Sequence, residues 1–96
     1  MDRVSVLEVL ASTKSALTER FGVTSLALFG STARNTARAD SDIDILVGFD
    51  GPATPERYFG VQFFLEDAIG RPIDLVTEKA LRKELRASIV RDAIRV

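Results

Sequence analysis

Apolar residues recur at helical spacing through the first stretch of the chain: Leu7, Leu10, Leu17 and Phe21 share a face, with Lys14, Glu19 and Arg20 on others. Ser5, with Glu8 three residues on, fits a capping box, and Gly22 fits the left-handed stop of a helix. The rhythm then changes. Residues 26–29 are a short unbroken apolar run between Thr24-Ser25 and Gly30, as in a buried strand. Residues 31–34 open a short second helix, and the small, polar residues 35–41 read as a loop. Ile43, Ile45 and Val47 mark a second strand, closed by the turn-like Gly48-Phe49-Asp50-Gly51-Pro52.

Thr54, Pro55 and Glu56 start a third helix, with Thr at the N-cap, Pro at the first helical position and Glu near the positive dipole end. Tyr58, Val61, Leu65, Ala68 and Ile69 line one side of it, and Gly70 stops it. Phe59, Phe63 and Phe64 add a second apolar surface, read as core; left exposed, it would suit a partner. Residues 73–76 form a third strand, and Thr77 caps a last helix in which Leu81, Leu85, Ile89 and Val90 keep helical spacing. Arg82, Lys83, Arg86, Arg91 and Arg95 make that helix locally basic, with Glu84 and Asp92 interspersed as on a solvated face. The order α-β-α-β-α-β-α predicts an α/β fold with helices layered on a sheet.

Packing explains none of the polar residues at the two strand ends. Side chains at i and i+2 of a strand share a face, so Asp42 and Asp44 point together while Ile43 and Ile45 point into the core. At a rise of ~3.3 Å per residue the two carboxylates lie roughly 6–7 Å apart along the strand, suited to one or two divalent cations. Without a cation they would repel and raise one another's pKa. If the third strand neighbours the second, Asp74 adds a third oxygen ligand, the arrangement expected for two-metal phosphoryl or nucleotidyl transfer. Gly30 lets the backbone approach an anion closely, Ser31 offers a hydroxyl, and the free N–H groups opening the next helix face the same place. Arg34 can clamp a phosphate oxygen. Each piece alone is an ordinary turn, cap, solvated Asp or surface Arg. Their order and spacing together are specific.

Composition narrows the chemistry further. The 96 residues are read as one domain, 1–96, too small for a second recognition module. With no cysteine and no histidine, thiolate sites, Cys nucleophiles and the usual general base are excluded, leaving carboxylates, hydroxyls, Lys and Arg around a hard cation. A net charge of -1 argues against direct nucleic-acid binding. No apolar run approaches the ~20 residues that span a bilayer, and the N-terminus lacks a signal-peptide layout, so no membrane association and a cytoplasmic location are expected.

Gly30-Ser31-Thr32-Ala33-Arg34, followed by Ser41-Asp42-Ile43-Asp44-Ile45-Leu46-Val47, resembles the GSxAR…SDIDLxV signature of the DNA polymerase β-like nucleotidyltransferase superfamily. The short length and the stretch Arg71-Pro72-Ile73-Asp74-Leu75-Val76 are similar to its minimal nucleotidyltransferases (MNT), many of which act as antitoxins beside a HEPN-domain ribonuclease toxin. The resemblance implies a two-layer fold with a mixed three-stranded sheet. It matches Gly30 and Ser31 to the triphosphate-binding turn and Asp42 and Asp44 to the Mg²⁺-binding pair. Asp74 matches the third carboxylate, which helps bind the metal and deprotonate the acceptor, and Arg34 matches the motif arginine. Asn35 stands where many relatives carry Gly; Asn is the residue that best tolerates the left-handed conformation there.

The function this implies is Mg²⁺-dependent transfer of AMP from ATP to a hydroxyl, a tyrosine of a partner HEPN toxin, with two Mg²⁺ ions and a type VII-like antitoxin role. The alternatives are an antitoxin that acts by binding and occluding its toxin, and nucleotidyl transfer to a small molecule.

Overall fold

The computed structural model describes residues 2–96. Its elements are α1 (Arg3–Phe21), β1 (Val23–Phe29), α2 (Gly30–Ala33), β2 (Ile43–Phe49), α3 (Pro55–Ile69), β3 (Ile73–Thr77), a 3₁₀ turn (Glu78–Ala80), α4 (Lys83–Asp92) and β4 (Ile94–Arg95). The strands form one mixed sheet in the order β3-β2-β1-β4, where three strands were expected. The fourth is a two-residue addition antiparallel to β1, pairing Ala27 with Arg95 and Leu28 with Ile94. So short a strand has no periodicity to announce it.

Alternation along the strands sorts the sheet into two faces. Leu26 and Leu28 of β1, Ile43, Ile45 and Val47 of β2, and Ile73 and Leu75 of β3 pack with Val6, Leu10 and Leu17 of α1 and Val61, Leu65 and Ile69 of α3. Leu65 is fully buried in this cluster. Leu65→Ala should lower the unfolding free energy by about 3 kcal/mol, read from the shift in urea midpoint. The opposite face carries Asp44, Leu46 and Gly48 of β2, and it is this face that holds the polar chemistry.

Three expectations are corrected. Helix α1 starts earlier than Ser5: the Asp2 side chain is the N-cap, accepting from the Ser5 N–H at 2.8 Å. A carboxylate three residues upstream of Ser5 outcompetes its hydroxyl for the first free amides. The last helix does not start at Thr77. The chain makes one 3₁₀ turn, Leu81 and Arg82 are extended with ψ of 126° and 141°, and α4 begins at Lys83 with no fully buried residue. Phe59 and Phe63 are not core: they are 50% and 63% exposed and stack on each other at 6.1 Å, because Val61, Leu65 and Ile69 take the inward side of α3. The Gly22 and Gly70 caps and the Thr54-Pro55 start stand as read. Among the described residues no helix is long and apolar enough to cross a membrane.

Candidate active site

Strand directions gather the predicted residues. β1 and β2 are antiparallel and β2 and β3 parallel, so the end of β1 and the starts of β2 and β3 lie on one edge of the sheet. In register, Phe29 faces Asp44, and Asp44 faces Asp74. Gly30 follows Phe29 with φ of +74°, and a Cβ built on it would overlap Oδ2 of Asp44. The turn and the carboxylate therefore touch, and only a residue without a side chain fits between them. Asn35 takes the positive φ expected of it, 61°. Gly30 and Ser31 open α2, whose N-terminus has no side-chain cap, so its first amides are free to meet an anion.

The charges at this edge are poorly matched to one another. Burial pushes the Asp44 carboxyl up from 3.8 to about 6, reinforced by the charge of Asp74 and a hydrogen bond to it, then by Asp42, with Arg34 pulling the other way. Asp42 and Asp74 are both exposed and Asp44 half-buried. Asp44 and Asp74 are thus brought together, with Asp42 close enough to act on Asp44. Among the described residues, however, no three acidic side chains close into a compact metal-binding group. The donor set is all oxygen and carries surplus negative charge, which fits a hard divalent cation such as Mg²⁺.

The nucleotidyltransferase domain family matches this sequence over residues 10–96. The chain belongs to the nucleotidyltransferase family. The protein adenylyltransferase MntA of Thermococcus cleftensis is 34% identical over 88 residues, covering 92% of this chain and 89% of that one. A solved structure assigned as a minimal nucleotidyltransferase superposes with a TM-score of 0.86 at 34% identity, covering 100% of this chain and 97% of the other. A tri-AMPylated Shewanella oneidensis HEPN toxin in complex with MNT antitoxin shares the fold at TM-score 0.60 and 18% identity, covering 97% of this chain and 66% of that one.

In this nucleotidyltransferase Arg34 is not free: its Nη1 lies 3.1 Å from Oδ2 of Asp92 at the end of α4, with 51% of the Arg34 side chain exposed. Sequence reading missed Asp92, which lies far along the chain in what reads as a solvated basic helix. It also passed over Arg71, taken as a lead-in to β3. The Arg71 guanidinium donates to the backbone carbonyls of Ala39 at 2.6 Å and Ser41 at 2.7 Å. Those two bonds hold the loop immediately before Asp42 against the start of β3. The Arg-Pro pair preceding a strand that starts Ile-Asp was the available signal: a cation placed beside the acidic edge. Arg3 similarly donates to the Ala33 carbonyl at 3.1 Å, fixing the end of α2.

Proposed function

We propose that this nucleotidyltransferase transfers AMP from Mg²⁺-bound ATP to a hydroxyl of a partner protein, a tyrosine of a HEPN toxin, and so acts as an antitoxin. The observation that carries this reading is Asp44 set beside Asp74 with its Oδ2 against Gly30, which joins an anion turn to a carboxylate pair. Similarity to MntA supports a protein as acceptor. The likeness of fold to an MNT antitoxin in a HEPN complex agrees with that type of partner.

In this mechanism the Gly30 and Ser31 amides hold the β- and γ-phosphates, and Asp42 and Asp44 hold the cations. Mg²⁺, when bound, supplies charge stabilisation for the triphosphate. The acceptor oxygen bonds to the α-phosphorus as the bond from that phosphorus to the pyrophosphate oxygen breaks. The hydroxyl proton passes to the Asp74 carboxylate, and pyrophosphate leaves. Incubating the protein with a HEPN-domain toxin as partner and Mg-ATP should add the mass of AMP to that partner. An unmodified partner, or modification that survives Asp42→Ala with Asp44→Ala, defeats the proposal.

The exposed Phe59–Phe63 stack favours a second reading, neutralisation by binding alone. In that case Phe59→Ser with Phe63→Ser abolishes complex formation, while the aspartate double variant still neutralises the toxin.

A further inference from the structure

Asp74 sits on an edge strand. β3 has a single strand neighbour, β2, in the sheet order β3-β2-β1-β4. The register sets Asp74 opposite Asp44, and the charge of Asp74 helps push the Asp44 carboxyl up. Like charges facing each other across the last ladder of a sheet drive its outer strand away. Main-chain bonds to β2 alone would leave β3 free to yield.

The outward side of β3 is bonded as well. The Pro72 carbonyl accepts from the Ile43 N–H at 3.1 Å and so points at β2. Backbone groups alternate along a strand, so those of Asp74 and Val76 face β2 while those of Ile73 and Leu75 point away from it. Helix α3 meets both outward residues. The Ile73 N–H donates to Oε2 of Glu66 at 3.1 Å, and the Tyr58 hydroxyl donates to the Leu75 carbonyl at 2.6 Å. Asp74 is thus flanked, one residue before and one after, by peptide groups bonded to the same helix. Both bonds are partly buried, where water competes less for them.

We propose that Glu66 and Tyr58 are positioning residues for metal binding: they brace β3 against the repulsion between Asp74 and Asp44, so that the pair stands in place before a divalent cation arrives. This deepens the AMP-transfer reading, from which Asp74 takes its role, by naming what holds that carboxylate. Neither side chain is a ligand; each acts through the backbone beside Asp74. Seating the helix does not require these bonds, since Val61, Leu65 and Ile69 already anchor α3 in the core. A cation that must first draw its carboxylates together binds more weakly than one that meets them assembled, in proportion to the fraction of molecules with the pair in place.

Tyr58→Phe removes only the hydroxyl, Glu66→Ala removes the acceptor, and Glu66→Gln keeps a carbonyl oxygen for the Ile73 N–H. The probe is Mn²⁺, with the free ion counted by electron paramagnetic resonance. Tyr58→Phe and Glu66→Ala should each weaken Mn²⁺ binding about fivefold, with Glu66→Gln within about twofold of wild type. Without cation, amide hydrogen exchange at Asp74 and Val76 should be about tenfold faster in the first two variants, and adding Asp44→Asn should slow it again about fivefold. Unchanged Mn²⁺ affinity, or fast exchange that Asp44→Asn does not slow, overturns the proposal. So does a Glu66→Gln variant as weak as Glu66→Ala, which would make the Glu66 charge itself the cation's partner. A wild type that binds no Mn²⁺ overturns it too. AMP transfer to the partner is scored separately: a wild type that transfers nothing, with the variants behaving as expected, removes the transfer reading and leaves the bracing of β3 standing.

Discussion

Asp44→Asn is expected to abolish AMP transfer, by about 10³-fold or ~4 kcal/mol of transition-state stabilisation, while making the folded protein more stable at neutral pH. Both effects follow from the same surroundings. The carboxyl is raised from 3.8 to about 6 by burial first, then by Asp74 and Asp42. A folded-state value above the unfolded one means that the native state holds the proton longer. Its contribution to stability is therefore fully present below about pH 3.8 and is lost as pH rises through about 6. At 1.36 kcal/mol per unit, a fully desolvated group would cost ~3 kcal/mol. Asp44 is only half-buried, so solvent screening reduces this to about 1–2 kcal/mol. Urea unfolding at pH 8 should show the asparagine variant more stable by that amount, and at pH 4 the two proteins should converge. Added Mg²⁺ should narrow the pH 8 gap by relieving the wild type alone. Loss of activity with no gain in stability would mean that the carboxylates are not held in surplus.

Gly30→Ala should damage fold and activity together, and the chain carries its own control. Gly30 and Gly70 have nearly the same left-handed backbone, φ +74° and +76°. A Cβ at Gly70 meets nothing within 4 Å, whereas at Gly30 it overlaps Oδ2 of Asp44. Gly70→Ala thus isolates the backbone strain, about 1 kcal/mol, with transfer intact. Gly30→Ala adds displacement of the Asp44 carboxylate, for a total of about 2–4 kcal/mol and ~10²-fold in AMP transfer. Paired urea midpoints and transfer rates for the two variants separate the terms. Equal behaviour of the two would show that the contact between turn and carboxylate carries no function.

The residues of this edge were legible because each is tied to a local pattern: Asp42 and Asp44 to strand alternation, Gly30 to a strand–helix junction, Asp74 to the start of a short apolar run. What joined Asp74 to the pair was a neighbour relation, and the parallel register of β2 and β3 supplies it. Asp92 was not legible, and for Arg71 the Arg-Pro order gave a nearby cation but not its contacts. Their roles lie in one ion pair and two carbonyl contacts across 58 and about thirty residues of chain, and no periodicity encodes such contacts. The exposed side of α3 failed for another reason. Phe59 and Phe63 have the composition of a core, and an aromatic residue's type does not say which side of a helix the sheet will take.

The parallel pairing of β2 and β3 has one further result. To re-enter the sheet in the same direction, the chain must travel back its full length. A fifteen-residue helix of ~22 Å matches a seven-residue strand of ~23 Å, so α3 is a return stroke of the right length. The chain between Asp44 and Asp74 is thus set largely by travel distance and mainly at its ends by chemistry. The bend at residues 50–54, where the outward stroke turns, sits at the end of the sheet remote from the carboxylates, with Pro52 and Ala53 exposed. It is the natural place to splice in a reporter or a tether, leaving the acidic edge undisturbed.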